Sequence, residues 1–121
     1  MKASELRLGN WVEQPNDGVT RVTAVLNDLQ IKTETGYVDK YCRPIPLTEE
    51  WLLKFGFEDL PVNYMGFYEF KIGTFSIIRE QDEYCFPYET YSGDNIDLEI
   101  KHVHQLQNLY FALTGEELEL T

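Results

Sequence analysis

Apolar and polar residues alternate along the first 46 positions in short runs broken by turn residues. Residues 6–13 carry Gly9-Asn10 and then the apolar pair Trp11-Val12. Pro15-Asn16-Asp17-Gly18 predicts a turn, because proline presets φ and glycine accepts a positive one. Over residues 19–26, Val19, Arg21, Thr23 and Val25 fall on one face, and Thr20, Val22, Ala24 and Leu26 on the other. Asn27-Asp28 turns the chain, residues 29–33 alternate again, Gly36 turns, and Tyr37-Val38 continue. Four or five strands at this spacing predict a small SH3-like barrel over residues 1–46.

Arg43-Pro44-Ile45-Pro46 interrupts any helix or central strand and marks a boundary. Thr48 then caps a helix starting at Glu49-Glu50, with Leu47 and Leu52 at the positions of a hydrophobic staple. Trp51, Leu52 and Phe55 form its apolar side, and Gly56 ends it. Residues 67–72 and 74–79 flank Gly73 as a hairpin whose turn type stays open. Tyr84-Cys85-Phe86 begins a further strand that Pro87 is expected to shorten. Residues 96–100 alternate, with an Ile/Leu face to bury. The last element is a helix over about residues 102–113, with Val103, Leu106, Leu109, Tyr110 and Leu113 on one stripe. His104, Gln107, Asn108 and Phe111 lie off it, and an off-stripe Phe111 is either covered by a second layer or part of a partner interface. The expected class is α+β: the barrel part (1–46), then an acidic part (47–121) with an antiparallel sheet and two helices.

Charge sharpens this division. Residues 1–46 hold six Lys/Arg and six Asp/Glu, whereas residues 47–121 hold four against fifteen. The whole net charge of −11 therefore lies in the second part, which lacks the basic clusters that phosphate contacts need. Direct nucleic-acid phosphate binding is not expected. At 121 residues and 43% hydrophobic content the chain can build a core. No apolar run approaches the roughly 20 residues of a membrane helix, and the start Met1-Lys2-Ala3-Ser4-Glu5 lacks a secretory signal. Cys42 and Cys85 are too few for a disulfide framework. A cytoplasmic protein is the expectation.

Three stretches carry a resemblance: Leu6-Arg7-Leu8-Gly9-Asn10-Trp11-Val12; Pro46-Leu47-Thr48-Glu49-Glu50-Trp51-Leu52-Leu53-Lys54-Phe55-Gly56-Phe57; and Ile100 to Leu118, containing His104-Gln105-Leu106-Gln107-Asn108-Leu109-Tyr110-Phe111. Together they resemble a family of short uncharacterised proteins from gut bacteria of the Bacteroides type and their phages. The resemblance implies no activity; it implies a setting, that of an intracellular accessory protein of phage or mobile-element origin.

Candidate chemistry is sparse. Glu99-Ile100-Lys101, with Asp82, Asp94 and Asp97 upstream, resembles the Asp…Glu-x-Lys core of a nuclease class, in which acids hold Mg²⁺ and lysine assists a water. The same spacing arises on any solvated strand, and no basic groove accompanies it. His102 and His104 share a side only on extended backbone, and no third ligand is evident. Neither a catalytic residue, a metal nor a cofactor is assigned. Trp11, Tyr37 and Tyr41 belong to the type of aromatic face small barrels use for ligands, although Trp11 also suits a core. The candidate interaction surface is thus Trp11, Tyr37, Tyr41, His104 and Phe111. A non-enzymatic module with a protein partner is the leading expectation, with self-association compatible with the aromatic content. An acidic DNA-mimic inhibitor and a minimal nuclease follow as alternatives.

Overall fold

The computed structural model describes residues 5–15, 18–27, 30–36, 38–39, 42–60, 67–89 and 92–121. Two units are present: Met1–Pro46 with His102–Glu116, and Leu47–Lys101 with Glu117–Thr121.

In the first unit, β1 (Trp11–Gln14), β2 (Gly18–Asn27), β3 (Gln30–Thr33) and β4 (Val38–Asp39) form an antiparallel sheet in sequential order. The long β2 pairs with β1 through its first half and with β3 through its second, with register shifts after Val22 and Val25. Its Thr20/Val22 face is the buried one, meeting Val12, Ile31 and Leu6. Gly9 and Gly18 adopt left-handed backbone where the chain turns into β1 and β2.

The expected barrel closure is not found among the described residues. β4 spans two residues, and the chain returns to β1 through one bridge. There Glu13 N–H donates to Arg43 O at 2.9 Å and Arg43 N–H to Glu13 O at 2.8 Å. Helix α2 (Val103–Thr114) completes the unit, with His102 at its N-cap and Gly115 at φ 75° at its C-cap. Gln105 Oε1 accepts the His102 N–H at 3.0 Å.

In the second unit, Thr48 Oγ1 accepts the Trp51 N–H at the start of α1 (Glu49–Lys54), over a buried Leu47/Leu52 staple. Strands β5 (Glu58–Leu60), β6 (Tyr68–Ile72), β7 (Phe75–Glu80), β8 (Glu83–Glu89) and β9 (Asn95–Ile100) follow in one antiparallel sheet, again in sequential order. The short β5 carries charged residues at its first two positions, which conceals it from a hydrophobic pattern. Two-residue turns join β6 to β7 and β7 to β8, with positive φ at Gly73 (58°) and Gln81 (57°). Phe57, Phe70, Phe75, Ile77, Tyr84 and Ile100 are buried with Leu52 and Phe55. Phe75 and Phe86 stack at 5.2 Å, and Phe57 meets Phe75 edge-on at 6.1 Å. At the chain end Thr121 N–H donates to Lys54 O at 2.8 Å.

Pro87 does not shorten β8. Pairing with β9 runs through it to Glu89, whereas pairing with β7 stops at Cys85. The missing N–H of Pro87 therefore falls on the β7 side, where the ladder has already ended. No helix among the described residues is long and apolar enough to cross a membrane.

Candidate functional site

The residues quoted from the first and last stretches of the resemblance meet at one polar joint in the first unit. Gln107 is 1% exposed. Its Nε2 donates to Gly9 O at 3.1 Å, and its Oε1 accepts the Trp11 N–H at 2.9 Å. Beside it, Asn108 Oδ1 accepts from Arg7 Nε and from Asn10 Nδ2, both at 2.9 Å. Asn108 Nδ2 donates to Glu5 O at 3.0 Å. Side-chain amides thus stand in for water at the backbone of residues 5–11, which is how buried polar groups are kept satisfied. The role is to dock α2 on β1.

This joint changes the outlook of the helix. The buried face runs through Val103, His104, Leu106 and Gln107, whereas Leu113, placed on the buried stripe by periodicity, is 55% exposed. Apolar periodicity alone locates the stripe from side-chain type, but hydrogen bonds to Gln107 turned the helix toward its polar flank. Phe111 is 40% exposed, and the Arg7 guanidinium lies 4.2 Å from its ring centre. Trp11 is half-buried with Arg21 5.1 Å from its ring centre. Tyr37 and Tyr41 lie outside the described residues.

His104, expected off the buried stripe, is 2% exposed and so offers no surface to a partner. Among the described residues its Nδ1 has no hydrogen-bond partner, and its Nε2 lies 4.0 Å from Glu5 Oε2. Burial first, and the nearby His102 second, lower its pKa to about 4 against the opposing pull of Glu5. The two imidazoles stack at 5.8 Å with planes 10° apart. No group of three or more His, Cys, Asp or Glu that could hold a metal occurs among the described residues. Lys101 Nζ lies 3.9 Å from Glu99 Oε2, Asp82 sits in the turn between β7 and β8, and Ser92 Oγ donates to Asp94 Oδ2 at 3.2 Å.

A different arrangement arises on the second sheet. Cross-strand register sets Leu60, Glu69, Ile78, Cys85 and Glu99 side by side across all five strands. The alternation of side chains adds Glu58, Lys71, Glu80, Glu83 and Asp97 to the same face, opposite the face that carries Phe70, Ile77 and Tyr84. Six carboxylates therefore share a face with Lys71, around the half-buried Ile78 and Cys85. Glu80 and Glu83 stand directly opposite each other, a like-charge pair that costs stability. The Cys85 thiol registers the field: burial pushes its pKa up, and Asp97, Glu83, Glu99 and Glu80 push it further. Alternation within β9 makes Asp97 and Glu99 visible in the sequence; the rest of the face depends on strand register.

Comparison with protein-family models, curated proteins and solved structures finds no match to this chain.

Proposed function

We propose that this chain is a non-enzymatic interaction protein whose contact face is the acidic face of the second sheet, and that its partner is a protein presenting a basic surface. The observation that carries the reading is the cluster of Glu80, Glu83, Asp97 and Glu99 around Cys85, with apolar Ile78 alongside. Carboxylates held this close repel one another in the free protein, and a cationic partner relieves that repulsion. A half-buried apolar centre inside a charged rim is also the anatomy of a protein-binding patch. With this reading go an SH3-like barrel for the first unit, supported by the Glu13–Arg43 bridge, and an intracellular accessory role of phage or mobile-element origin.

The test compares wild type with a Glu80→Gln, Glu83→Gln, Glu99→Gln variant as bait for proteins from a bacterial lysate. A specific partner retained by wild type and lost by the variant supports the reading. Identical captures remove this face from consideration.

One observation favours a second, narrower form, the acidic DNA-mimic inhibitor: six carboxylates share one face of the sheet. In that case the captured partner binds DNA, and duplex DNA displaces it from the bait. A captured partner indifferent to DNA rejects the mimic.

A further inference from the structure

Strand β9 is the last of its sheet, and among the described residues no strand pairs with its outer edge. One hydrogen bond shows how its backbone is turned. Leu47 N–H donates to Lys101 O at 2.9 Å from the side away from β8, so the polar groups of Lys101 point outward. Strand alternation then sends the N–H and C=O groups of Asn95, Asp97 and Glu99 outward too. Those of Ile96, Leu98 and Ile100 turn inward to Tyr88, Phe86 and Tyr84. Pro87 agrees with this assignment, since it lies opposite the outward-turned Asp97 and its missing N–H falls toward β7.

Among the described residues the edge therefore offers three residues' worth of main chain without a strand partner. It also offers a pattern. Asp97 and Glu99 are exposed on one face, two residues apart at about 6.6 Å of strand. Leu98, 44% exposed, lies on the other face. A strand laid alongside places successive residues opposite an acid, an apolar group and an acid.

We propose that β9 is a docking edge for an extended segment of a partner protein in which Lys or Arg alternates with apolar residues. That segment joins the sheet as a sixth strand by main-chain pairing. The inference rests on the interaction reading above and deepens it by naming the partner's conformation and sequence pattern. A second copy of the chain does not fit: antiparallel self-pairing of β9 sets carboxylates opposite carboxylates, the charge pattern that keeps strand edges apart. The exposed Lys101–Glu99 pair at 3.9 Å is a minor competitor, being open to water and salt.

The experiment uses two peptides of equal composition, Lys-Val-Lys-Val-Lys-Val and Lys-Lys-Lys-Val-Val-Val, with affinity measured by calorimetry on the full chain. The alternating peptide is expected to bind at least tenfold more tightly. Asp97→Pro removes one outward N–H without touching the ladder to β8, and it should lower the affinity at least tenfold below that of Asp97→Ala, the control for the lost charge. Trp51 fluorescence on urea unfolding reports whether the second unit stays folded in each variant. Equal binding of the two peptides, absence of binding by both, or equal affinities for the proline and alanine variants overturns the docking edge. Equal binding that weakens alike when Glu80, Glu83 and Glu99 are neutralised leaves the acidic-face reading standing while the edge falls.

Discussion

Replacing Gln107 by Leu tests the polar joint that docks α2. Leucine fills nearly the same space, so the change removes hydrogen bonds rather than volume. Two bonds to main chain are lost: the one from Nε2 to Gly9 O at 3.1 Å and the one from the Trp11 N–H at 2.9 Å. Asn10 Nδ2, 3.5 Å from Gln107 Oε1, keeps its better bond to Asn108 at 2.9 Å and is largely spared. A buried group left without a partner costs about 1–3 kcal/mol. Two such groups, less the apolar burial gained by leucine, give a loss of about 2–4 kcal/mol, a large share of a typical total of roughly 5–15 kcal/mol. For a chain of this length that corresponds to a fall in Tm of about 8–16 °C. Each unit holds one tryptophan, Trp11 in the first and Trp51 in the second. Urea unfolding followed by fluorescence in Trp51→Phe and Trp11→Phe backgrounds then locates the loss. It should fall on the first unit. A change below about 0.5 kcal/mol at constant urea dependence would show that Gly9 and Trp11 find water in place of Gln107, and the docking argument would fail.

Acid should weaken the first unit through His104. Its pKa is about 4 in the folded chain against an ordinary 6.5 for a solvated imidazole, so the unfolded chain takes up the proton first. The stability is complete above pH 6.5 and falls as pH drops toward 4, by about 3 kcal/mol in all. His104→Leu should flatten the urea midpoint across that window; an unchanged slope assigns the acid sensitivity to other groups. Cys85 should alkylate slowly at pH 8, because burial and four neighbouring carboxylates disfavour its thiolate. Glu83→Gln with Glu99→Gln should speed the reaction, and an equal rate in both proteins would contradict the field described for this face. Phe111→Ser should lower stability by about 1 kcal/mol or less, since the ring is 40% exposed and the Arg7 guanidinium rests over it at 4.2 Å. A larger loss by thermal melting would make Phe111 a core residue and withdraw it from any partner surface.

Much of the local structure was legible in the sequence because it depends on interactions within a few residues. Thr48 caps α1, Leu47 and Leu52 staple it, Gly73 turns β6 into β7, and β2 is a strand whose first half separates an exposed Val19/Arg21 face from a buried Thr20/Val22 face. The α+β class followed from the same signals. Other features were decided only when distant segments met. Gln107 and His104 are buried and Leu113 is not, because α2 docks through amides that meet residues about a hundred positions earlier. Pro87 sits inside β8 because its missing N–H faces the side where pairing ends. Six carboxylates of β5 to β9 share one face, with Asp59 on the other, and Asp97 and Glu99 line an edge that no described strand pairs, through the register of five strands. A one-residue slip in any pairing would move that strand's side chains to the opposite face. Spacing along the chain determines which residues alternate; only hydrogen bonds between strands determine which of them stand together.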